Sequence, residues 1–428
     1  MAQHAGRRRR AGATAAAGLV VLLAAAVVVL RGSSTPGRTV GKQPPSPPAA
    51  APSPSPSARL PVADDLLDRT QVRRLAASRR WTVTSGAGLS NGCQERRSAD
   101  PRGHAALVRT FRAAGNPARS AMQTVEVSRS VSQAHRAYRT TLGWYAGCRA
   151  ARVQLLDAYR VDRIGDEAQV LVLRRSVRPA GLLSVALART GSVVTSTVGT
   201  TVGASSLRVR RVVATLEVAV RNLCARSVAG RCAGRAAFHA VPPPPAGRGE
   251  EAGILAVVDL PPVGRVGRRW VGTRPAPTQT DPSVSTCDRA DLRAAGAIRT
   301  RSRTYLVPGA GLPDRFGLAE AYGVFRSSKA AGGFLSSVRT DLATCAKRDA
   351  STEVGRERRS TSARADASQW LLTTKVSSTR KVRFRVGFVR VGRSVAQLRF
   401  APTPGADVSE SVFASLLDRA GDRLRELH

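Results

Sequence analysis

Apolar and polar positions follow one plan that occurs twice along the chain. Residues 123–148 and 320–345 align without a gap at an offset of 197, although only six positions are identical. In each copy, alternating apolar residues precede a serine, and apolar residues then recur at helical spacing up to a final cysteine. Alternation is typical of a strand, and the helical spacing is typical of an amphipathic helix. The pattern therefore predicts two copies of a strand, a serine-led turn and a helix.

The flanking segments extend this repeat. Arg79-Arg80-Trp81 and Arg268-Arg269-Trp270 precede the two copies, and helical patterns at 207–224 and 412–427 close the two halves. Between helix and closing helix, runs dense in valine and leucine predict strands, with Gly191 as the turn between two of them. Strands grouped as hairpins favour an antiparallel sheet, and we expect its helices on one face. The predicted fold class is α+β, with tandem duplicated domains, each an antiparallel sheet packed by helices, after one N-terminal transmembrane helix.

Changes in composition set the domain boundaries. A short helix is expected between residue 60 and Trp81, at the start of the first domain. The predicted segments are a basic cytoplasmic tail at 1–10, a transmembrane helix at 11–30, a Pro/Ser-rich disordered linker at 31–59, a first domain at 60–236, a Pro-rich linker at 237–251 and a second domain at 252–428.

The N-terminal segment predicts a location at the cell membrane. Ala11–Leu30 is twenty uncharged, mostly apolar residues, which as a helix span about 30 Å, one hydrocarbon core. The arginine cluster Arg7–Arg10 should stay in the cytoplasm, which places the domains outside the cytoplasmic membrane as a single-pass protein. The alternative is a cleaved signal peptide, but Val28–Arg31 offers no small-x-small cleavage sequence.

Six cysteines are consistent with an oxidising compartment. The first half has Cys93, Cys148, Cys224 and Cys232, which allow three connectivities, whereas the second half has only the counterparts of the first two. If the repeat keeps one plan, the pairs are Cys93–Cys148, Cys287–Cys345 and Cys224–Cys232. The five histidines lie near no cysteine pair at ligand spacing, so no metal site is predicted.

Several of these motifs resemble a known family. An early Cys93, a helix ending in Trp144–Cys148, the strand and turn at 186–194 and the pair Cys224 and Cys232 are similar to the extracellular sensor domain of PknH-type receptor kinases of actinobacteria. The resemblance covers 60–235 more fully than 252–428. It implies an α+β domain with two disulfides and a large ligand-binding cleft. The chain departs from the family in lacking a kinase domain and in lacking the last cysteine pair in its second copy.

The charge of the chain favours anionic partners. It has 68 Lys and Arg against 29 Asp and Glu among 428 residues, and such a surface attracts anionic polymers or headgroups. Lys381, Arg383 and Arg385 alternate with apolar residues, so on a strand they face one way. They are either a solvated sheet face or a candidate polyanion-binding stripe. The external location favours cell-envelope polymers or lipid headgroups over nucleic acid as the partner.

No catalytic or cofactor-binding residues are predicted. Gly88–Gly92 matches G-x-S-x-G, but it lies in a Gly/Ser loop rather than between a strand and a helix. Asp162, Asp166 and Glu167 are explained better as a loop before a strand than as an acid/base pair. The chain has no phosphate-binding loop, zinc motif, dinucleotide fingerprint or calcium loop, and no cofactor is expected.

Two functions follow from these observations. The first is a membrane-anchored, sensor-like binding protein without catalytic activity, which holds an anionic or cell-envelope ligand in a cleft and passes any signal to a membrane partner. The alternative is a structural protein that adheres to the wall or membrane through arginine-rich faces. A hydrolase is a third, weaker alternative. A cleft in the structure favours the first function, and a uniformly basic convex surface favours the second.

Overall fold

Two separate antiparallel sheets form the body of the protein. The structure is a computed structural model, and it describes residues 59–84, 92–203, 207–224, 226, 229–232, 234–247, 250–264, 266–278, 285–362 and 365–428. Residues 57–428 form one compact unit. The predicted tail, membrane span and first linker lie outside the described residues.

The first sheet has eight strands in the order β1-β2-β3-β7-β6-β5-β4-β8. The strands are β1 Trp81–Thr84, β2 Ala105–Ala113, β3 Arg119–Val127, β4 Val153–Asp162, β5 Glu167–Arg175, β6 Gly181–Thr190, β7 Val193–Val202 and β8 Ala237–Val241. The turn between β6 and β7 contains Gly191 with a φ of 57°, a left-handed conformation that glycine adopts without strain. The predicted strands and their turn are therefore confirmed.

The second sheet has the order β12-β14-β15-β16-β11-β10-β9, and β13 also pairs with β14. The strands are β9 Val271–Gly272, β10 Arg299–Leu306, β11 Gly317–Val324, β12 Thr352–Val354, β13 Arg358–Thr361, β14 Asp366–Lys375, β15 Lys381–Val391 and β16 Ser394–Ala401. Read from the other edge, this order repeats that of the first sheet from β1 to β4, with β11 in the place of β3 and β16 in the place of β7, and β8 has no counterpart among the described strands. The split pair β12 and β13 takes the place of β4.

Four helices of the described chain pack on these sheets. They are α1 Val131–Ala146, α2 Val209–Leu223, α3 Ser328–Ala343 and α4 Glu410–Leu424. Ser130 and Ser327 cap α1 and α3, each accepting a backbone N–H of the first turn through its hydroxyl. The repeated unit of strand, serine-led turn and helix is therefore confirmed.

The helices lie on both faces of each sheet, so the expectation of one covered face is wrong. In β6, Ala186 and Ala188 pack in the cluster that contains α2, whereas Leu187 packs in the cluster that contains α1. In the second half, Val389 lies with α4 and Phe388 with α3. All ten residues of β6 are buried, and they include the polar residues Ser184 and Arg189. In the same strand Val185–Ala188 are apolar at four successive positions, which is typical of a strand buried on both faces.

The segment that joins the halves belongs to the folded unit. Within the predicted linker 237–251, the first five residues form β8, which pairs with β4. Ala246, Ala256 and Val258 pack with Val153 and Leu155 in one apolar cluster. The two halves therefore share part of their core.

The start of the first domain differs from the expected short helix. Residues 63–65 and 72–74 form two single 3-10 turns before Trp81 begins β1. Among the described residues, no helix combines the length and apolar character needed to cross a membrane.

Candidate functional site

A cavity of about 240 Å³ lies where the two halves meet. The first half contributes the loop 147–152 between α1 and β4, and Val153 at the start of β4. The second half contributes the residues around the 3-10 turn Val257–Asp259, the segment 268–272 and Arg303. We call this the junction cavity. Both halves supply its wall, so it is a property of the joined pair.

The loop after α1 is fixed against the segment that joins the halves. Cys148, directly after the helix cap Gly147, is joined to Cys93 by a disulfide. Gly147 lies so near the segment that joins the halves that a Cβ atom there would be 2.3 Å from the carbonyl oxygen of Ala246. Only a residue without a side chain allows this approach.

Arginines also join the two sides of the cavity. Arg152 has a left-handed φ of 55°, and its guanidinium donates to the carbonyl oxygens of Val266 and, at 3.1 Å, of Gly264. Arg269 donates across the junction to the carbonyl oxygen of Arg149 at 3.4 Å. These contacts set the width of the cavity.

The lining combines positive charge with an apolar wall. Its charged residues are Arg149, Arg152, Arg268, Arg269, Arg303 and Glu250, and its larger apolar residues are Val257, Val258, Leu260, Val263, Trp270 and Val307. Arg149 and Arg268 are exposed, and within the described chain their side chains make no hydrogen bond or ion pair. Charges of one sign beside a low-dielectric wall raise the local concentration of counter-ions. The cavity therefore favours an anion that carries an apolar group.

Arg303 is the buried charge of the cavity. Its side chain is 7% exposed and pairs with Glu250, donates to the carbonyl oxygen of Leu255 at 3.2 Å and lies 5.1 Å from the ring centre of Tyr305. Burial opposes its charge, but Glu250 outweighs that effect and the pKa of Arg303 is raised. Its Nε is buried without a hydrogen-bond partner in the described structure. A buried unpaired donor costs free energy, and a ligand acceptor would remove that cost.

A buried carboxyl group lies behind Arg303. Glu320 is 1% exposed, and it accepts the backbone N–H of Leu255 at 3.0 Å. The Tyr305 hydroxyl lies 2.6 Å from the carbonyl oxygen of Leu255 and 2.7 Å from Glu320 Oε2. Burial raises the pKa of Glu320 to about 8, so at neutral pH the carboxyl is mostly protonated. A protonated Glu320 can donate a hydrogen bond to the hydroxyl oxygen of Tyr305. The single hydroxyl proton of the tyrosine is then donated to the carbonyl oxygen of Leu255.

The first half uses an amide at the same place. Gln123 is the repeat counterpart of Glu320, and its Oε1 accepts the backbone N–H of Leu67 at 2.6 Å. Both side chains join the third strand of their sheet to the segment that precedes the first strand. Gln123 is neutral by nature, whereas Glu320 is neutral only while it holds a proton.

A second repeated contact was missed from the sequence. Asp65, in the 3-10 turn of the first half, forms a two-point ion pair with Arg226 at 2.8 and 2.9 Å. Asp259, in the 3-10 turn of the second half, does the same with Arg423 at 2.8 and 3.0 Å. The only sequence signal is an Asp in each opening segment and an Arg at or just after each closing helix.

The three disulfides join the predicted pairs. Cys93–Cys148 and Cys287–Cys345 each tie the loop before the repeated unit to the end of its helix. Cys224–Cys232 links the end of α2 to the loop that leads to β8. The repeat was therefore a sufficient guide to the pairing.

The basic stripe lies on β15 and is not brought into the junction cavity. Lys381 and Arg383 are exposed, and Lys381 is directly opposite Lys375 on β14. Arg385 is different, because it forms a two-point ion pair with Asp407 at 3.0 and 3.1 Å and is mostly buried. The predicted alternation places all three cations on one face, but only two remain exposed to solvent.

The acidic group before β5 is held in ion pairs. Asp166 and Glu167 both contact Arg189, at 3.1 and 2.5 Å, and Asp162 contacts Arg160 at 3.3 Å. These pairs fit the structural interpretation of the three acids. Of the G-x-S-x-G match, only Gly92 lies within the described residues.

The described residues contain no group of three His, Cys, Asp or Glu side chains placed to hold a metal ion. No protein family, curated protein or solved structure matches the chain.

Proposed function

We propose that the chain is a non-enzymatic binding protein for a small anionic ligand, and that the junction cavity is its binding site. The observation that carries this is Arg303, a buried guanidinium with an unpaired Nε in a wall shared by both halves. The apolar wall around Trp270 would contact an uncharged part of the ligand. Small-molecule sites usually combine such a wall with a few placed polar groups.

The size of the cavity limits the ligand. At about 240 Å³ it lies below the roughly 300–1,000 Å³ typical of drug-sized sites. A short carboxylic acid or a small phosphate ester fits this volume, whereas a polymer would place only one end in it. A cell-envelope fragment with an acidic end is a ligand of this kind.

The proposal also covers the cellular location of the protein and its relation to a known type of domain. Three disulfides suit an extracytoplasmic compartment, which agrees with a membrane anchor at 11–30 and domains outside. The repeated strand order supports a duplicated domain, and the sequence around Cys93, 144–148 and 186–194 resembles the PknH-type sensor domain. Such a protein would signal through a membrane partner. Mass spectrometry of the purified protein tests the anchor, because a mature N-terminus between residues 30 and 40 would exclude it.

Calorimetry on the full chain tests the cavity. The probes are hexanoate, its uncharged analogue hexanamide, and inorganic phosphate. We expect hexanoate to bind at least about tenfold more tightly than hexanamide, and its affinity to fall as salt rises, because exposed charges are screened beyond about 8 Å at physiological ionic strength.

A pair of surface variants locates the binding. Arg149→Gln with Arg268→Gln removes two exposed charges that the fold does not use, and should weaken hexanoate binding by about tenfold. The matched control is Arg136→Gln with Arg210→Gln, two exposed arginines on α1 and α2. Equal binding of hexanoate and hexanamide, or equal losses in the two double variants, contradicts the proposal.

A second candidate function is adhesion to an anionic surface through β15. The exposed Lys381 and Arg383, beside Lys375, support it. Lys381→Glu with Arg383→Glu should abolish co-sedimentation of the chain with vesicles of phosphatidylglycerol or with anionic wall polymer. The control Arg315→Glu with Arg326→Glu makes the same charge change elsewhere on the second half. If both pairs act alike, net charge and not the stripe determines adhesion.

A further inference from the structure

An arginine and a buried carboxyl group hold one backbone segment behind the junction cavity. Arg303 on β10 is directly opposite Glu320 on β11. Arg303 donates to the carbonyl oxygen of Leu255 at 3.2 Å, and Glu320 accepts the backbone N–H of the same leucine at 3.0 Å. Of these three residues, Arg303 lines the cavity and the other two lie behind it. A change of charge on Glu320 therefore acts on the cavity through Arg303.

The first half has the same contacts, with a different residue at one position. Arg109 on β2 is directly opposite Gln123 on β3. Arg109 donates to the carbonyl oxygen of Leu67 at 3.1 Å, and Gln123 accepts the backbone N–H of Leu67 at 2.6 Å. This half shows that a neutral amide is sufficient to hold the segment. The fold alone therefore does not require a carboxyl group at Glu320.

A second difference between the halves adds a hydroxyl group beside that carboxyl group. Tyr305 follows Arg303 by two residues on β10, and Phe111 follows Arg109 by two residues on β2. The phenylalanine carries no proton that it can exchange. The Tyr305 hydroxyl lies 2.7 Å from Glu320 Oε2, and the tyrosine is fully buried. The titratable pair therefore occurs in the half that contributes Arg303 to the cavity.

The other neighbours of Glu320 do not favour its ionisation. Asp259, in the 3-10 turn, opposes a second negative charge nearby, and its own charge is paired with Arg423 of α4. Leu398, directly opposite on β16, has no charge. Burial is the largest effect on Glu320, and together with Asp259 it outweighs the attraction of Arg303. The pKa of Glu320 is therefore raised to about 8.

Arg303 has a limited capacity for further negative charge. Its side chain is nearly buried and is already paired with Glu250. With Glu320 protonated, Arg303 faces one carboxylate and can accept the anionic end of a ligand as a second. With Glu320 ionised, two carboxylates already share Arg303, and a ligand would add a third negative charge. Like charges repel strongly in a poorly solvated site, so ionisation of Glu320 should weaken anion binding.

From this geometry we infer that anion binding in the junction cavity is coupled to a proton on Glu320. The inference rests on the proposed function and adds the regulation of the same site. The form that binds holds the proton on Glu320, where it is donated to the hydroxyl oxygen of Tyr305. Loss of that proton as the pH rises releases the ligand. Because coupling is reciprocal, a bound anion makes the proton harder to remove.

The first test is calorimetric titration of the full chain with hexanoate at pH 7 and pH 9. Hexanoate stays ionised in this range, because a carboxylic acid in water has a pKa of roughly 4 to 5. The folded pKa of Glu320 is about 8, so its protonated fraction, and with it the affinity, should fall about tenfold between the two pH values. Affinities that agree within about twofold overturn this inference alone. Absence of binding at both pH values overturns the proposed function as well.

A second measurement counts the proton. At pH 8 the unoccupied site is about half protonated, so each hexanoate that binds should take up about half a proton from solution. Calorimetric titration in two phosphate-free buffers of different ionisation enthalpy measures this uptake. Equal heats of binding in the two buffers contradict the coupling.

A pair of variants assigns the proton to a residue. Glu320→Gln supplies the amide that Gln123 provides in the first half. It should bind hexanoate with affinities at pH 7 and pH 9 that agree within about twofold, and it should take up no proton. The matched control is Asp288→Asn, which removes another buried carboxyl group with a pKa raised by burial, outside the lining of the cavity. This control should keep the loss of about tenfold. If the loss persists in Glu320→Gln, or disappears in Asp288→Asn, the coupled proton is not on Glu320.

Discussion

Asp259 and Arg423 form a buried two-point ion pair that ties the segment before the second sheet to its closing helix. The aspartate is 2% exposed and its side chain is fully buried, as is nearly all of the arginine. Burial opposes the charge of Arg423, but Asp259 and Glu426 outweigh that effect and its pKa is raised. The backbone carbonyl oxygen of Asp259 also accepts a hydrogen bond from the side-chain amide of Gln154, in the first half, at 3.3 Å. The pair therefore stabilises the same segment that lines the junction cavity.

Asp259→Ala should cost about 3–5 kcal/mol of unfolding free energy, because it leaves a buried guanidinium without its main partner. The matched change in the first half, Asp65→Ala, should cost only about 1–2 kcal/mol, since Arg226 is partly solvated. Urea unfolding of the two variants measures both values. Equal losses would show that burial does not determine the strength of the pair.

The neutral form of Glu320 should make stability depend on pH. Its folded pKa is raised by burial from 4.5 to about 8, so between those values the folded chain holds a proton that the unfolded chain has lost. The contribution of Glu320 to the free energy of unfolding is therefore largest at low pH. It falls as the pH rises towards 8, by up to about 1.4 kcal/mol per pH unit.

Glu320→Gln should remove that slope and leave the fold intact, because Gln123 makes the equivalent contact in the first half. The reciprocal change Gln123→Glu should introduce a second falling slope over the same window. Unfolding midpoints at pH 5, 6.5 and 8 for both variants measure this. Parallel curves for Glu320→Gln and the natural chain would falsify the assignment of the pH dependence to Glu320.

Gly147 and Gly143 offer a direct test of the contact between the first half and the segment that joins the halves. Gly147→Ala puts a Cβ atom 2.3 Å from the backbone oxygen of Ala246, so the junction must shift, at a cost of about 1–3 kcal/mol. Gly143→Ala, one turn earlier in α1, meets nothing within 4 Å and should stabilise the helix by about 0.5–1 kcal/mol. If the midpoint temperature of thermal unfolding changes in the same direction for both substitutions, Gly147 does not lie in a close contact.

Much of the fold was predictable because its signals are local. The helical spacing before Cys148 and Cys345 and the turn at Gly191 fall within short windows of sequence. The covering of both sheet faces was signalled only in part, by the apolar residues on either side of Ser184 in β6. The hairpin grouping of the strands favoured one covered face, and this short apolar run did not outweigh it.

The sites were less predictable because their partners are distant. Asp65 and Arg226 are separated by 161 residues, and Asp259 and Arg423 by 164. The alternation on β15 predicts a solvent-exposed Arg385, but this side chain forms an ion pair with Asp407, which lies 22 residues further along the chain. Alternation along a strand gives the face of a side chain, whereas the partner depends on how distant segments pack.

The disulfides should contribute unequally to stability. Cys287 and Cys345 are separated by 58 residues and Cys224 and Cys232 by 8. In the chain-entropy model the longer loop restricts the unfolded chain more, about 4 kcal/mol against about 2.5 kcal/mol. Replacing Cys287 and Cys345 with alanine should therefore lower the urea midpoint more than replacing Cys224 and Cys232. Cys93 and Cys148, separated by 55 residues, serve as the matched comparison and should behave like the first pair. A loss for the short loop as large as for the two long ones would mean that native contacts near Cys224, and not the unfolded chain, set the effect.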